Sequence, residues 1–376
     1  MVATHVLDER TPDGGLTFAQ ALAGGRASAL FAVLAGLSLA LGAGRETPLR
    51  GRMRVRTSAA LVVRAVLIGA VGLLLAEAGS EIAIILVYYA ALFVLVLPFL
   101  GLSPRWLAVC AGVWVVSAPV LSHWLRPRLP ERGFDSPSWS QLVDDPAGLL
   151  SEVTFSGYYP AVPWLAYLLV GLAVGRLDLT SRRTALSLAA GGAALAVLAT
   201  TTSRTITARS AVGQSLLADP PAEDATSQAL LDRISEGLPG TTPTGGAREW
   251  LLVVAPHTAT PFDLAQTIGS ALAVIGLALL VVGATSGVAT RTVAIFFGAG
   301  TMTLTLYSLH VVSRSPDVPP DALRDSYQFQ VLLLLGVGSL FAAVGARGPL
   351  ERIVAAASRR VTGTSRLVAG SPRLGR

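Results

Sequence analysis

Lysine is absent from the 376-residue chain, so arginine supplies all 29 basic side chains. Charge of either sign is scarce, because charged residues make up 14 % of the sequence whereas hydrophobic residues make up 52 %. A soluble domain needs a charged surface around its core, and this composition does not supply one. The balance excludes an ordinary soluble protein and predicts a polytopic membrane protein.

Cysteine occurs once, as Cys110 in an apolar run, which excludes an internal disulfide. No Cys or His residues stand at metal-ligand spacing, and the sequence has neither a P-loop nor a nucleophile elbow. We therefore expect no metal and no tightly bound cofactor. A cleavable signal peptide pattern is also missing, so the spanning helices themselves would direct insertion.

Nine apolar stretches are long enough to cross a bilayer as helices, which need about 20 residues each. They predict an all-α, polytopic transmembrane helix bundle. The stretch 184–201 carries the weakest signal, although its many small residues suit close helix packing. The nine predicted spans are 26–44, 58–77, 81–101, 105–125, 160–177, 184–201, 263–285, 291–312 and 327–346.

The first six residues, Met1 to Val6, have the pattern of a final helical turn and precede a polar segment at 7–25. We expect them to be the stub of an N-terminal helix that begins upstream of Met1. That helix would raise the number of spans to ten and would put the N-terminus on the same side as the C-terminus.

Arginine is concentrated on one side of the predicted topology. Five segments hold 17 Arg against three acidic residues, whereas the opposite connections hold 11 Arg against 19 acids. Because the excess of positive charge belongs to short cytoplasmic loops, these five segments should face the cytoplasm. The protein would then lie in the plasma membrane with its C-terminus inside. The segments are 45–57, 101–105, 176–184, 286–291 and 347–376.

A single transmembrane domain is predicted for 1–346, with long outer loops at about 126–159 and 202–262. The second loop should contain a short amphipathic helix at 224–237. Residues 347–376 make a basic cytoplasmic tail whose apolar residues recur at roughly helical spacing. Such tails are typical of contact with anionic lipid, so we expect the bilayer and not a nucleic acid as its partner.

A polar stretch, Pro256-His257-Thr258-Ala259-Thr260-Pro261-Phe262-Asp263, separates the second outer loop from a long apolar run. Thr260 and Asp263 have the spacing of a capping box, and Pro261 suits the first helical position. His257 lies beside this predicted helix start, where unpaired N–H groups favour negative charge. The stretch indicates either a site for chemistry on an oxyanionic group or a well-formed cap with an interfacial histidine.

On the predicted topology all four histidines lie near the outer ends of helices. A neutral imidazole there suits a general base, and several from separate helices would converge on one pocket. Each one alone is also compatible with a structural role at the membrane interface, which fits His123 beside Trp124 best. His310 has more support, because Thr303 and Tyr307 share its helix face. The four are His5, His123, His257 and His310.

Arg64 lies inside a predicted span, where a charge is either functional or reaches the interface by snorkelling. Another group of arginines on the predicted cytoplasmic side satisfies the positive-inside rule and would equally bind the phosphates of a nucleotide-bearing donor. Arg45, Arg50 and Arg64 are therefore the candidate donor-binding residues. The group consists of Arg45, Arg50, Arg52, Arg54 and Arg56.

Several stretches carry a family resemblance that covers nearly the whole chain. They are Gly25-Arg26-Ala27-Ser28-Ala29-Leu30-Phe31 with Leu34-Ala35-Gly36, Tyr88-Tyr89-Ala90-Ala91-Leu92-Phe93, Gly157-Tyr158-Tyr159-Pro160-Ala161-Val162-Pro163-Trp164-Leu165-Ala166-Tyr167 with Gly175-Arg176, Pro256 to Asp263, and Met302 to His310. Together they resemble the bacterial membrane proteins related to heparan-alpha-glucosaminide N-acetyltransferase, within the integral membrane acyltransferases.

The resemblance implies that an acyl group, typically acetyl, passes from cytoplasmic acyl-CoA to an extracytoplasmic sugar or glycolipid acceptor. Acetyl-CoA would be the co-substrate, and a histidine near the outer face would serve as base or acyl carrier. In the animal enzyme that histidine lies shortly before a Gly-Leu-Thr segment. Gly15-Leu16-Thr17 is present here, but the closest histidine, His5, stands several residues too early.

Transfer from a thioester needs a base or a nucleophile, and donors for the tetrahedral oxyanion. Two other classes stay open: a transporter or flippase, which would need a polar midplane site, and a non-catalytic membrane scaffold with its outer loops as partner surfaces. A homo-oligomer is compatible with each class. The candidate catalytic residues are His5, His257 and His310, with Asp8 or Asp263 to orient an imidazole and Thr303 and Tyr307 as polar lining.

Overall fold

The computed structural model describes residues 1–44, 49–130, 132–133, 136–218, 226–318 and 320–362, and every regular element among them is helical. One isolated antiparallel bridge joins Arg10 to Leu16. The all-α class is therefore confirmed for these residues. The α-helices are α1 (Val2–Val6), α2 (Phe18–Ala23), α3 (Arg26–Gly42), α4 (Gly51–Ala76), α5 (Leu86–Leu95), α6 (Pro104–Leu125), α7 (Trp139–Asp144), α8 (Pro146–Ser151), α9 (Ala161–Val174), α10 (Arg182–Thr207), α11 (Ser210–Leu217), α12 (Ser227–Glu236), α13 (Pro261–Gly283), α14 (Gly287–Phe296), α15 (Thr303–Ser313), α16 (Asp321–Arg324), α17 (Tyr327–Ala343) and α18 (Pro349–Thr362). Short 3-10 helices occupy Leu97–Gly101, Arg126–Arg128, Arg248–Leu252 and Gly298–Thr301, and a π-helix occupies Glu152–Ser156.

Five helical segments in the described part of the chain are long and apolar enough to cross a membrane. A sixth exists if Pro146–Ser156 and Ala161–Val174, which meet at an angle of 49°, are counted as one bent span. The prediction of nine complete spans is therefore not confirmed, although several apolar helices do indicate a multi-pass protein. The five segments are Phe18–Gly42, Gly51–Ala76, Pro104–Arg128, Arg182–Thr207 and Pro261–Gly283.

Two of the predicted spans are interrupted. In 81–101 the helix begins only at Leu86, because side chains bind the backbone before it: the Ile84 N–H donates to Ser136 Oγ (3.1 Å) and the Ile85 N–H to Tyr307 Oη (3.2 Å). In 291–312 a 3-10 turn separates α14 from α15. There, a Cβ on Gly298 would lie 2.2 Å from the Ala342 Cβ of α17, so only glycine allows this approach.

Two more predicted spans form helices that are shorter than expected. The stretch 160–177 becomes α9, with 14 residues, and 327–346 becomes α17, with 17 residues. Apolar composition alone does not reveal where backbone hydrogen bonding stops, which explains these differences.

Helix α9 lies at the centre of the bundle and packs against α3, α5, α6 and α13. Its leucines Leu168, Leu169 and Leu172 are fully buried. Glycines let it contact α3 backbone to backbone: a Cβ on Gly36 would lie 2.3 Å from the Leu168 carbonyl oxygen, and one on Gly171 would lie 1.9 Å from that of Val33. Residues larger than glycine at either position would force the two helices apart.

The weakly predicted stretch 184–201 lies inside α10, a 26-residue helix that packs along α13. Gly192, Gly269 and Gly276 line this contact, and a Cβ on any of them would meet backbone nitrogen of the other helix at 2.4 to 2.5 Å. The expected close packing is therefore confirmed.

Helix α18 comes from the basic tail predicted for 347–376 and packs along α4, with Val354 and Ser358 buried. Glu351, near its start, accepts hydrogen bonds from the N–H groups of Leu304 (2.7 Å) and Thr305 (3.1 Å). A carboxylate at a helix N-terminus is favourable, because it satisfies free N–H groups and opposes the positive end of the dipole. The tail residues beyond 362 lie outside the described part.

Arg126 ties the outer segment of the chain to the end of α6. Its buried guanidinium donates to the carbonyl and hydroxyl oxygens of Thr242, both at 2.6 Å, and to the hydroxyls of Thr241 and Thr244 at 3.3 and 3.1 Å. Hydrogen bonds from a charged group to buried acceptors are among the stronger ones, so this contact holds 241–244 in place.

We expect Arg126→Met to lower the thermal midpoint of the protein in detergent, with a loss of about 2 kcal/mol for removing charged donors from buried acceptors. The matched control is Arg128→Met in the same turn, because Arg128 is exposed and lies over the Trp124 ring. Equal midpoints for the two variants would show that the Arg126 contact does not stabilise the fold.

Candidate functional site

A cavity of about 430 Å³ opens at the end of the bundle where α3, α9 and α13 begin. We call it the histidine cavity, because His5 and His257 both line it. Tyr158 and Tyr159 form another part of its wall. Its charged side chains are carboxylates, and no arginine lines it among the described residues. The carboxylates belong to Glu9, Glu81 and Glu236.

His5 contacts His310 behind the cavity wall. The His5 Nδ1 and His310 Nε2 atoms lie 3.2 Å apart, and the two rings stack with centroids 5.4 Å apart. On its other side, His310 Nδ1 lies 3.1 Å from Gln330 Oε1. His310 and Gln330 are both buried, so the three side chains form one hydrogen-bonded chain from α17 through α15 to α1.

The hydrogen positions in this chain follow from Gln330. Its Nε2 donates to the Arg324 carbonyl oxygen (3.2 Å), so Oε1 is the atom that faces His310 and accepts. His310 must then carry its hydrogen on Nδ1 and accept on Nε2. His5 in turn donates from Nδ1, which leaves His5 Nε2 as the ring nitrogen with a lone pair.

His257 reaches the cavity from the loop before α13. Its ring lies against Tyr158, with centroids 4.8 Å apart, and against Tyr159 at 5.7 Å. Burial lowers the pKa of His257 to about 4, so the imidazole is neutral near pH 7. Its Nδ1 is buried without a hydrogen-bond partner among the described residues.

The backbone at His257 is strained, with φ at +58°, and Ala259 has φ at +51°. Such left-handed conformations persist in residues other than glycine only where the surroundings enforce them, and they are common at functional sites. Here Gly25 and Gly237 pack closely against the residue before His257. A Cβ on either glycine would lie 3.1 Å or closer to the backbone of Pro256, so only glycine allows this contact to hold the turn.

The predicted helix start after His257 is confirmed. Thr260 is the N-cap of α13 and accepts from the Asp263 N–H at 3.1 Å, and Pro261 occupies the first helical position. The Asp263 carboxylate accepts from the Ala259 N–H at 3.0 Å. Asp263 therefore holds the strained turn in place through Thr258 and Ala259, and among the described residues no hydrogen bond joins it to the His257 imidazole.

The remaining candidates from the sequence lie away from the histidine cavity. Asp8 and Thr303 are exposed and do not line it. Tyr307 lies behind the wall, where its hydroxyl accepts from the Ile85 N–H. His123 is in α6 and is not among the lining residues. Within the described residues, no group of three or more His, Cys, Asp or Glu is arranged to hold a metal ion.

Among the donor-binding candidates, Arg50 lies at the end of the bundle away from the histidine cavity, whereas Arg64 lies near the middle of α4. Arg50 is the exposed N-cap of α4, and Arg45 lies outside the described residues. The Arg64 guanidinium lies over the Phe93 ring, 5.3 Å from its centroid. Helix α4 begins at Gly51 and not at 58, which puts Arg64 thirteen residues from its start and deeper in the helix than predicted.

Two further arginines lie at this end: Arg54, which belongs to the group predicted to bind donor phosphates, and Arg176, which was not singled out as a binding residue. Arg54 donates to the Pro98 carbonyl oxygen (2.8 Å), and the buried Arg176 donates to that of Leu100 (2.6 Å). The Nε and one terminal nitrogen of Arg176 have no hydrogen-bond partner among the described residues. A buried guanidinium with free donors is a good site for an anion. The sequence feature that could have identified Arg176 is the Gly175-Arg176 pair at the end of an apolar run.

A second network supports the cavity wall. Tyr88 Oη lies 3.2 Å from Glu152 Oε1 and accepts from the Tyr158 N–H, also at 3.2 Å. Gln141 Nε2 donates to Glu152 Oε2 at 2.9 Å. The network fixes Tyr158 beside His257. The tyrosines belong to stretches that carried the family resemblance, whereas nothing in the local sequence singled out Glu152.

The catalytic family model described as heparan-alpha-glucosaminide N-acetyltransferase matches residues 8–207. No curated protein and no solved structure matches the chain. The matched segment includes Tyr88, Tyr158 and Arg176, while His5 and His257 lie outside it. Because the match covers more than half of the 376 residues, the chain belongs to the heparan-alpha-glucosaminide N-acetyltransferase catalytic family, which is a family of transferases.

Proposed function

We propose that the protein transfers an acetyl group from cytoplasmic acetyl-CoA to an extracytoplasmic sugar or glycolipid, with His5 as general base. The observation that carries this proposal is the hydrogen-bonded chain from Gln330 through His310 to His5, which ends at the histidine cavity. It gives His5 a defined tautomer and orientation, which is what a base needs from its supporting residues.

In this mechanism the acceptor attacks the thioester carbonyl carbon while His5 Nε2 takes its proton. The tetrahedral intermediate then expels the CoA thiolate, and the protonated His5 returns its proton to the leaving sulfur. His257, neutral and on the same cavity, would donate an N–H to the oxyanion. The positive end of the α13 dipole, directly after this loop, supports the same charge.

The acidic lining supports an acceptor that carries an amine. Glu236 is paired with Arg10, so Glu9 and Glu81 supply the remaining negative charge on the cavity. Carboxylates attract and align an ammonium group, which must lose one proton to become the attacking amine; His5 then takes the second proton as the nitrogen attacks.

The orientation is part of the proposal. The arginine-rich end would face the cytoplasm, where Arg50, Arg54 and Arg176 would bind the phosphates of the donor, while Arg64 would reach the donor from the middle of α4. The histidine cavity would then open on the outer face of the plasma membrane, and the C-terminus would be inside. The bent pair Pro146–Ser156 and Ala161–Val174 and the shorter apolar helices, such as α17, would complete the crossings beyond the five long segments.

We expect His5→Ala to lower acetyl transfer by about two to four orders of magnitude, since that is the usual contribution of a general base. Full-length protein in sealed vesicles would receive labelled acetyl-CoA on the arginine-rich side, and label on envelope glycans or glycolipids would be counted. His123→Ala, outside the cavity, is the control. Transfer at the wild-type rate by His5→Ala would exclude His5 as the base.

Gln330 is proposed as a positioning residue, because it fixes the tautomers of His310 and His5. Leucine would leave the His310 Nδ1–H without an acceptor, at a cost of about 1–3 kcal/mol, and so would disfavour the tautomer that leaves the lone pair on His5 Nε2. We therefore expect Gln330→Leu to lower kcat by about tenfold or more and to leave the KM for acetyl-CoA unchanged. Gln328→Leu is the matched control, because Gln328 is exposed on the same helix. An unchanged pH–rate profile in Gln330→Leu would contradict the positioning role.

His257 also makes stability depend on pH. Its pKa falls from 6.5 in the unfolded chain to about 4 in the folded protein, so the unfolded state binds more protons between these values. The stability from a neutral His257 is present above pH 6.5 and is lost as the pH falls toward 4. We expect His257→Gln to flatten the fall of the thermal midpoint over this range; an identical slope in both proteins would refute the assignment.

A further inference from the structure

A second cavity, of about 650 Å³, lies beside the histidine cavity. We call it the arginine cavity, because the charged residues that line it are Arg26 and Arg204. Its volume falls within the roughly 300–1,000 Å³ that is usual for small-molecule sites. The proposed transfer step at the histidine cavity does not use it.

The two cavities share a wall. Gln20 and Gly24 line both of them, and the Gln20 Nε2 donates to the Glu236 carbonyl oxygen at 3.0 Å, which joins α2 to the end of α12. Pro256 lines the arginine cavity and its neighbour His257 lines the other. Only the shared wall, which includes the Gln20 side chain, therefore separates a ligand in the arginine cavity from the proposed reaction site.

Most of the arginine cavity is apolar. Leucine, isoleucine and valine side chains from α11, α12 and the segment before α13 form its wall, and Leu231 is 59 % exposed. Burial of such side chains against a hydrocarbon chain is favourable, whereas contact with water is not. The wall comes from Leu216, Leu217, Leu230, Leu231, Ile234 and Val254.

The charge in this cavity is all positive. Arg204 is exposed and has no ion pair or side-chain hydrogen bond among the described residues. Arg26 donates through one terminal nitrogen to the Ala21 (2.8 Å) and Leu22 (3.4 Å) carbonyl oxygens, which leaves its other nitrogens free within the described chain. Two guanidinium groups at one apolar cavity, with no acid among the lining residues, match a phosphate or another compact anion.

We propose that the arginine cavity binds the anionic lipid part of the acceptor, with its hydrocarbon chain on the leucine wall and its phosphate between Arg26 and Arg204. The inference rests on the proposed function and narrows it: the acceptor is a saccharide carried on a phosphate-bearing lipid. The saccharide extends past Gln20 and Gly24 into the histidine cavity, where its amine meets His5.

The test measures binding without any acyl donor. Full-length protein in phosphatidylcholine nanodiscs is titrated with tritiated farnesyl phosphate in a scintillation proximity assay. We expect saturable binding, and farnesol, which has the same chain without the anion, should compete about tenfold less well or worse, since each tenfold is about 1.4 kcal/mol. Inorganic phosphate should not displace the probe at matched concentrations.

Arg204→Gln should weaken binding of farnesyl phosphate by about tenfold, the usual effect of losing a charge-assisted contact. Its control is Arg209→Gln, an exposed arginine nearby that does not line the cavity. Arg26→Gln is a second variant, and Leu217→Asp tests the apolar wall. Equal competition by farnesol, displacement by inorganic phosphate alone, or wild-type binding in all three cavity variants would each overturn the proposal.

The lipid site and the transferase activity can fail separately. Arginine-dependent binding of farnesyl phosphate together with no acetyl transfer would leave the lipid site standing and refute the proposed function. Acetyl transfer without arginine-dependent binding of farnesyl phosphate would leave the proposed function standing and refute the lipid site.

Discussion

The backbone contact between α3 and α9 is the constraint on which both cavities depend. Gly36 and Gly171 let the two helices touch without side chains between them, so their starting points are fixed relative to each other. Gly25 and Arg26 begin α3, while Tyr158 and Tyr159 precede α9. Because these residues form walls of the two cavities, the spacing of the helices sets the width of the site.

Much of the helical framework could be predicted from local patterns. The cap at Thr260, the amphipathic helix in the second outer loop and the close packing of 184–201 all follow from residues near one another in the chain. The breaks in 81–101 and 291–312 could not be predicted, because partners distant in sequence cause them. Tyr307 binds the backbone before α5, and Ala342 approaches Gly298.

The same distinction applies to the site. Single histidines near helix ends were visible in the sequence, and the structure brings His5 to His310 and puts His257 on the same cavity as His5. The residue that defines their hydrogen-bond directions, Gln330, lies 20 positions beyond His310 across a loop. Glu152 acts on Tyr158 through Tyr88 in the same indirect manner. Contacts of this kind carry no periodicity or motif, so sequence patterns do not expose them.

Helix α15 is capped by a carboxylate from the tail at one end and carries a site histidine near the other. Glu351 binds its first N–H groups, and His310 follows within the same unbroken helix. An α-helix rises about 1.5 Å per residue and is stiff over two or three turns, so it transmits an axial displacement with little loss. Helix α15 therefore connects the packing of α18 on α4 directly to the contact between the His5 and His310 rings.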